Sequence, residues 1–271
     1  MKLTNGTKMI GFNQLGQLGR LGNQMFQFAA LKGIARKNGY EFCFPPSRRE
    51  NEWTDHQLFD PFKLKGTTPL NVQYIDTSRP TVFEGTFHFN EKLLNECPDW
   101  VTLHGFFQSE KYFKHIEDEI RSDFVFRDEI LEPALKTMSY WKDAVALHIR
   151  RTDYVTNSNH TALSMDYYEK ALSEFDSDQE VIIFSDDPNW CIEHPLFESD
   201  RFMVSQTGNN YMDLCLMSLC KQHIIANSSF SWWGAWLAKS NRVIAPKGWF
   251  EGSDNSHLDT KDLIPHDWEL I

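Results

Sequence analysis

The stretch AVALHIRRTD, residues 144–153, opens as an apolar run and closes on two adjacent arginines. Runs of the same kind recur at 181–184, 202–204, 223–226 and 242–245. Short, continuous apolar runs of this sort suit strands covered on both faces. Between most of them lie segments with helical spacing, at 164–175, 209–220 and 231–239. Buried strands alternating with helices predict an α/β fold with a doubly wound parallel sheet. Ligands of such sheets bind beyond the carboxyl ends of the strands. The residues that follow each run are therefore the candidates for chemistry.

Upstream of residue 140 the pattern is looser. Residues 8–12 read as a short strand, and Gly16, Gly19 and Gly22 punctuate a loop. Residues 23–38 read as a helix, with Met25, Phe28, Ala29, Lys32 and Ile34 near helical spacing and Gly39 as its stop. The segment 40–98 is irregular and rich in Pro, Phe and Trp, with short strands expected around 72–75 and 101–104. Residues 109–123 read as a helix carrying Tyr112, Phe113, Ile116 and Ile120 on one side. The change of rhythm divides the chain into domains at 1–140 and 141–271, and 271 residues suffice for two modest cores.

Along the strand that ends at Ile149, alternation puts His148, Arg150 and Thr152 on one side and Ile149, Arg151 and Asp153 on the other. Arg151 is expected to pair with Asp153. Arg150, on the opposite side, is then freer to meet an anion bidentately. The second run ends in Ser185-Asp186-Asp187-Pro188, where one aspartate caps a helix and the other faces the crevice. A carboxylate there suits a ribose hydroxyl or the N–H edge of a base. The fourth run ends in Asn227-Ser228-Ser229-Phe230-Ser231 and leads into a tryptophan-rich helix. Small hydroxyl residues at a helix start expose backbone N–H groups, an anion cradle. The tryptophans themselves read as core. The loop Gly19-Arg20-Leu21-Gly22-Asn23-Gln24 lacks both the dinucleotide fingerprint and the P-loop lysine, yet permits close backbone approach to a sugar or phosphate.

Charge limits what else the chain does. With 38 acidic against 27 basic residues the formal charge is −11, which speaks against nucleic acid or anionic lipid as partner. A bound anion must be held locally. Five cysteines without C-x-x-C spacing look like reduced, buried thiols, not a zinc site or a disulfide scaffold. The opening MKLTNGTKMIGF has no long apolar stretch, and no run of about 18 apolar residues occurs. A cytoplasmic chain without a membrane span is the expectation. Asp176-Ser177-Asp178 spells a D-x-D metal motif but falls between a helix and a strand, at the wrong sheet edge, and reads as a solvated connection.

GRLGNQMFQFAA (19–30), HIRRTDY (148–154), SDDP (185–188) and ANSSFSWWGAWLA (226–238) together resemble the motifs of the α-1,2-fucosyltransferases. HGFFQSEKYF (104–113) and LSMDYYEKAL (163–172) are similar to further segments of that family. The wider superfamily, with α-1,6- and protein O-fucosyltransferases, shares the H-x-R-R pattern and a related Gly-rich loop. The resemblance implies a GT-B-like fold of two facing Rossmann-like halves with the active site between them, 1–140 on the acceptor side and 141–271 binding the nucleotide sugar. It implies GDP-β-L-fucose as donor, a galactose-containing glycan as acceptor, inversion at the transferred carbon, and no metal or other cofactor. Carried over by position, Arg150 contacts the β-phosphate with Arg151 beside it. His148 and one of Asp186 or Asp187 hold the guanosine. Asn227, Ser228, Ser229 and Phe230 line the phosphate and base region. Asn23 reaches toward the reacting centre from the loop of Gly19, Arg20, Gly22 and Gln24.

The general base is open. In the α-1,6 relatives a Glu follows the H-x-R-R-x-D pattern, whereas YVTNS at 154–158 holds no acid. Asp153 ranks first and His160 second, and a departing phosphate that takes the proton itself would need neither. Two other readings stand beside this one: the same fold with another linkage or sugar, and a carbohydrate-binding protein using a tryptophan-rich surface. Acceptor specificity is expected in residues 40–99 and their aromatics Trp53, Phe59 and Tyr74.

Overall fold

The computed structural model describes residues 6–47, 55–141 and 143–271; Trp53 and the first five residues lie outside them. It divides into two units, Met1–Arg127 with Asp259–Pro265 and Asp128–Leu258 with His266–Ile271. The division falls earlier than residue 140 because helix Asp128–Met138, unread in the sequence, packs on helix Asn210–Leu219 of the second unit. The segment Asp259–Pro265 returns to the first unit, where Asp262 accepts from the Phe89 amide at 3.2 Å and pairs with Lys111 at 2.5 Å.

In the first unit the elements are β1 (Met9–Gly11), α1 (Leu21–Asn38), β2 (Glu41–Cys43), β3 (Thr81–Phe83), α2 (Glu91–Glu96), β4 (Val101–His104) and α3 (Glu117–Asp123). The sheet runs β2-β1-β4-β3, every pair parallel. α1 is apolar nearly all round, with Met25, Phe26, Phe28, Ala29, Leu31 and Ile34 buried, so it is a central helix and not an amphipathic cover. The apparent misfit Lys32 is 1% exposed and pairs with the buried Asp123 at 2.6 Å and with Glu119 at 3.3 Å, tying α1 to α3. The helix ends at Gly39, as read.

Two readings in this unit are corrected. Residues 109–123 form two 3-10 turns, Glu110–Tyr112 and Lys114–Ile116, before α3. Tyr112 and Phe113 are both fully buried, and the chain breaks at Phe113, whose φ of −134° is not helical. Residues 72–75 contribute a single bridge, Phe44 to Val72. The Asn13 side chain takes both backbone groups of Ile75, at 2.9 and 3.0 Å, so no ladder forms there; β2 stays the edge strand on that side, as β3 is on the other.

In the second unit the elements are α4 (Asp128–Met138), β5 (Val145–Ile149), α5 (Met165–Leu172), β6 (Val181–Ser185), α6 (Pro188–Glu193), β7 (Phe202–Val204), α7 (Asn210–Leu219), β8 (Gln222–Ile224), α8 (Ser229–Ala238), β9 (Arg242–Ala245) and β10 (Glu269–Leu270). All strands are parallel in the order β10-β9-β8-β5-β6-β7. From β5 the chain winds out to β7 and then returns to β8 and β9 on the other side. This is the Rossmann order, and its switch point lies between β5 and β8. Leu147 stands in register with Ile183 and Ile224, and these residues form the core with Val145, Ile149, Val181 and Ile244. Trp232 and Trp233 are fully buried, with Trp232 also against Trp268, so α8 offers no tryptophan surface for binding a glycan. Asp176 and Asp178 are exposed in a connection, as read.

Candidate active site

β5 ends at Ile149, and the chain enters a 3-10 turn, Thr152–Val155. Strand alternation therefore stops before the arginines, and the expected Arg151–Asp153 pair is replaced. A residue three along a turn comes back over its start, so Asp153 meets Arg150, with Oδ1 2.5 Å from Nη2. Arg150 Nη1 lies 3.2 Å from Asp186 Oδ2. The guanidinium is also 5.2 Å from the Tyr154 ring centre. Arg151 turns the other way, with Nε 3.4 Å from Asp187 Oδ2 and its guanidinium 3.7 Å over the Trp190 ring.

The two aspartates after β6 divide their work. Asp187, directly before Pro188, caps α6 by accepting from the Trp190 amide. Asp186 accepts from the Arg151 amide at 2.9 Å and from the Thr152 hydroxyl. Asp186 thus braces the arginine turn, while Asp187 is the more exposed of the two, at 36% against 19%.

His148, the penultimate residue of β5, is buried and lies 2.9 Å through Nδ1 from Ser231 Oγ. Burial first, and the Arg150 charge second, push its pKa far down, so it is neutral. The Ser231 hydroxyl is also within reach of the Ser228 and Ala226 carbonyls, at 3.3 and 3.5 Å. The tautomer with its proton on Nδ1 donates to Ser231 and leaves Nε2 as an acceptor. The Phe230 ring centre stands 5.8 Å from the imidazole.

At the start of α8, Ser228 is the N-cap and accepts from the Phe230 amide at 3.4 Å. The first turn of α8 carries no acidic side chain, and neither does that of α1. Asn227 is buried and donates to the Thr161 and Trp249 carbonyls at 2.9 and 3.0 Å, fixing the backbone that leads into α8; its Oδ1 finds no partner. His160 stacks on Tyr154 with ring centres 4.4 Å apart and an interplanar angle of 4°. Burial, assisted by Arg150 and opposed by Asp153, lowers its pKa. His148, Arg150, Arg151, Asp153, His160, Asp186, Asp187 and Asn227–Phe230 thus all belong to the second unit, at the carboxyl edge around the β5–β8 switch point.

The glycine loop belongs to the first unit. A Cβ at Gly19 would come within 2.0 Å of Asn23 Nδ2, so only glycine lets that amide lie against the loop. Asn23 Oδ1 accepts from Gln108 Nε2 at 2.7 Å. Gln24 is fully buried and spent on the loop itself, donating to the Gly19 carbonyl at 3.2 Å and accepting from the Gln57 amide at 2.8 Å. Its role is to hold the loop. Arg20 is the exposed N-cap of α1, without a side-chain cap bond, and Gly22 is buried in the first helical turn. The sequence does not single out Gln108 or the buried Glu84, and it offers Ser231 only as one of the hydroxyl residues at the helix start, not as the partner of His148. Ser231 sits one turn into α8, and Gln108 lies inside a motif already quoted, but no spacing marks Glu84.

A family model described as glycosyl transferase family 11 matches residues 2–270. The chain belongs to that family. It is therefore a glycosyltransferase, and the resemblance to the α-1,2-fucosyltransferases holds. It is 29% identical to the O-antigen biosynthesis glycosyltransferase WbnK of Escherichia coli, over 89% of this chain and 95% of that one. It is also 29% identical to an α-1,2-colitosyltransferase of Escherichia coli, over 93% and 96%. Galactoside α-(1,2)-fucosyltransferase 2 of Mus musculus is 26% identical over 89% and 72%. Among solved structures, POFUT1 in complex with GDP superposes with a TM-score of 0.57 at 15% identity, covering 90% of this chain and 98% of that one. The fucosyltransferase NodZ from Bradyrhizobium gives 0.55 at 10% identity, covering 88% and 96%. At such identities the likeness is one of fold, and it agrees with the GT-B-like α/β class read from the sequence. Among the described residues no helix is long and apolar enough to cross a membrane, and no group of three or more His, Cys, Asp or Glu stands ready to hold a metal ion.

Proposed function

We propose that this family member transfers L-fucose from GDP-β-L-fucose to a hydroxyl of a galactose-containing glycan, forming an α-1,2 linkage with inversion and without a metal ion. One observation carries the reading: the Arg150 guanidinium and the acid-free first turn of α8 share the carboxyl edge at the switch point of a Rossmann-order sheet. Cleaving the sugar–phosphate bond builds negative charge on GDP and oxocarbenium character on fucose. Arg150 meets the β-phosphate, and the Ser229 amide at the start of α8 meets the same anion. One charge pair at about 4 Å and an effective dielectric near 20 is worth roughly 4 kcal/mol.

Arg150 binds phosphate by exchange. The Asp153 carboxylate is 40% exposed and gives way, while the less exposed Asp186 stays as the brace. His148 accepts through Nε2 from the guanosine, and the outward oxygen of Asp187 accepts from a base or ribose donor. Asp153, released from Arg150 by the diphosphate, becomes the general base for the acceptor hydroxyl; His160, with its lowered pKa, is the weaker base. Asn23, which the resemblance assigns to the reacting centre, has its amide N–H as the donor group for that role.

The relative named as an α-1,2-colitosyltransferase favours a second reading, the same reaction with colitose as the transferred sugar. A panel of GDP-sugars and glycan acceptors, run in EDTA with linkage analysis of the product, tests all of this. GDP release accelerated by acceptor only with GDP-fucose, yielding an α-1,2 product, is the expected result. Acceleration only with GDP-colitose selects the second reading, and loss of turnover in EDTA overturns the metal-free step.

A further inference from the structure

The first unit holds a buried carboxylate that none of the steps above uses. Glu84 follows β3 and is 6% exposed. Its Oε2 accepts from the amides of Phe106 at 3.0 Å and Phe107 at 2.9 Å, and its Oε1 accepts from the Tyr112 hydroxyl at 3.5 Å. Tyr112 in turn accepts from the Asn90 amide at 3.0 Å. The carboxylate thereby closes a turn over residues 105–108. Within that turn Gly105 has φ 158° and Phe107 has φ 54°. A left-handed phenylalanine is strained and persists only where its surroundings over-determine it. Two amide bonds onto one carboxylate oxygen do that. A Cβ at Gly105 would lie 2.6 Å from Glu84 Cβ, so the turn and the carboxylate are fitted to each other.

What the turn carries is the point. Its last residue, Gln108, is 7% exposed and donates to Asn23 Oδ1 at 2.7 Å. From α1, Gln27 donates to the Leu18 carbonyl at 2.9 Å and to the Gly105 carbonyl at 3.3 Å, lashing the turn to the glycine loop. With its oxygen taken by Gln108, the Asn23 amide has one orientation left, with its N–H group as the donor end.

We propose that Glu84 is a positioning residue for sugar transfer: its ionised carboxylate holds the 105–108 turn so that Gln108 orients the Asn23 amide, and protonation slackens that chain and slows transfer. The inference rests on the reading of Asn23 given under the proposed function. Burial raises the Glu84 pKa to about 7, with the Phe107 and Phe106 amides and Tyr112 pulling the other way. The titratable group facing it is the Tyr112 hydroxyl, with the Lys111–Asp262 pair beyond it, while His104 on the neighbouring strand turns its ring to Phe83 and Gln14. Above about pH 7 the charged oxygen accepts both amides strongly. Below it the carboxyl is neutral and those bonds lose their charge assistance, roughly half their strength.

The test joins kinetics to amide NMR on the intact chain, for wild type, Glu84→Gln and Glu84→Asp, from pH 5.5 to 9. Wild-type kcat is expected to fall on an acid limb centred near 7. Glu84→Gln, of the same shape, is expected to lose that limb and to run about tenfold below wild type at pH 8, with GDP affinity intact. Glu84→Asp keeps a limb, shifted. In the spectra the Phe106, Phe107 and Asn23 side-chain amides titrate together in wild type and not in Glu84→Gln. A limb that survives in Glu84→Gln, or an Asn23 amide indifferent to pH, overturns the inference. Amides that titrate in a chain with no transfer from any GDP-sugar uphold the positioning of Asn23 and overturn the proposed function instead.

Discussion

Arg150 Nη2 stands 2.5 Å from Asp153 Oδ1, so the residue proposed to hold phosphate is already held by the residue proposed to accept the proton. Replacing Asp153 by Asn removes a competitor for Arg150 and a base at the same time. GDP is expected to bind Asp153→Asn three- to tenfold more tightly, a modest gain because the lost carboxylate is 40% exposed and screened. Transfer to acceptor is expected to fall more than tenfold while hydrolysis of GDP-fucose by water is unchanged. Calorimetry with GDP beside initial rates reads both effects, and weaker GDP binding contradicts the exchange.

Arg150 itself is expected to be irreplaceable. Loss of a preorganised charge at the leaving group costs about 10²–10³ in rate. Arg150→Ala is expected to lose more than a hundredfold in kcat. Arg150→Lys is expected to lose nearly as much, because one ammonium cannot face Asp186 and a phosphate together in the bidentate way a guanidinium does. Steady-state turnover with saturating GDP-fucose decides, and near-normal kcat in either variant removes Arg150 from the mechanism.

Most of the second unit was legible because its central strands are buried on both faces; 242–245 and the half-buried edge strand 202–204 form at those residues, and the other runs shift by a few at their ends. Serine and asparagine starts marked α7 and α8. The side-chain pairing at the strand end was not legible. Alternation assigned Arg151 to Asp153, but the chain leaves the extended conformation at residue 150, where three-residue spacing takes over. SDDP announced that one aspartate caps, and the proline after Asp187 decides which. Glu84 left no trace, since its burial depends on Phe106, Phe107 and Tyr112, distant in sequence and linked by no period. The helix at 128–138 was passed over, although its apolar residues Ile130, Ala134 and Met138 recur every four positions.

Stability should respond to acid through buried histidines in the second unit. His223 bonds the Met217 carbonyl at 2.8 Å and Ser240 Oγ at 2.5 Å, and burial holds its pKa down to about 4 against an ordinary 6.5. As pH falls from 6.5 toward 4 the unfolded chain takes a proton there that the folded chain refuses, so stability is lost. One such group is worth about 1.4 kcal/mol per pH unit. His148 acts in the same direction, and Glu84 in the opposite one, since its folded pKa is the higher. His223→Gln is expected to be less stable than wild type at pH 7 but to lose about 2 kcal/mol less between pH 6.5 and pH 5. Urea unfolding at the two pH values measures the difference, and parallel losses in both proteins refute the assignment.

The first unit has an exposed aromatic marker of its own. Of the aromatics expected to touch acceptor, Phe59 packs inward against Phe44 and His56, with ring centres 6.1 and 5.6 Å away. Tyr74 is 49% exposed, but Phe83 at the carboxyl end of β3 is more so, at 64%, with its ring centre 5.0 Å from that of His104. A large apolar ring left in water at the ligand edge of a parallel sheet suits a pyranose, whose C–H face stacks on rings while its hydroxyls take neutral partners. The side chains of Gln14 and His104, bonded to each other, stand beside it. Phe83→Ala is therefore expected to raise the acceptor KM at least fivefold and to leave GDP affinity and thermal stability as they are, since an exposed ring contributes little to the core. An acceptor KM equal to that of wild type moves the contact elsewhere in residues 40–99, with Tyr74 the next to replace.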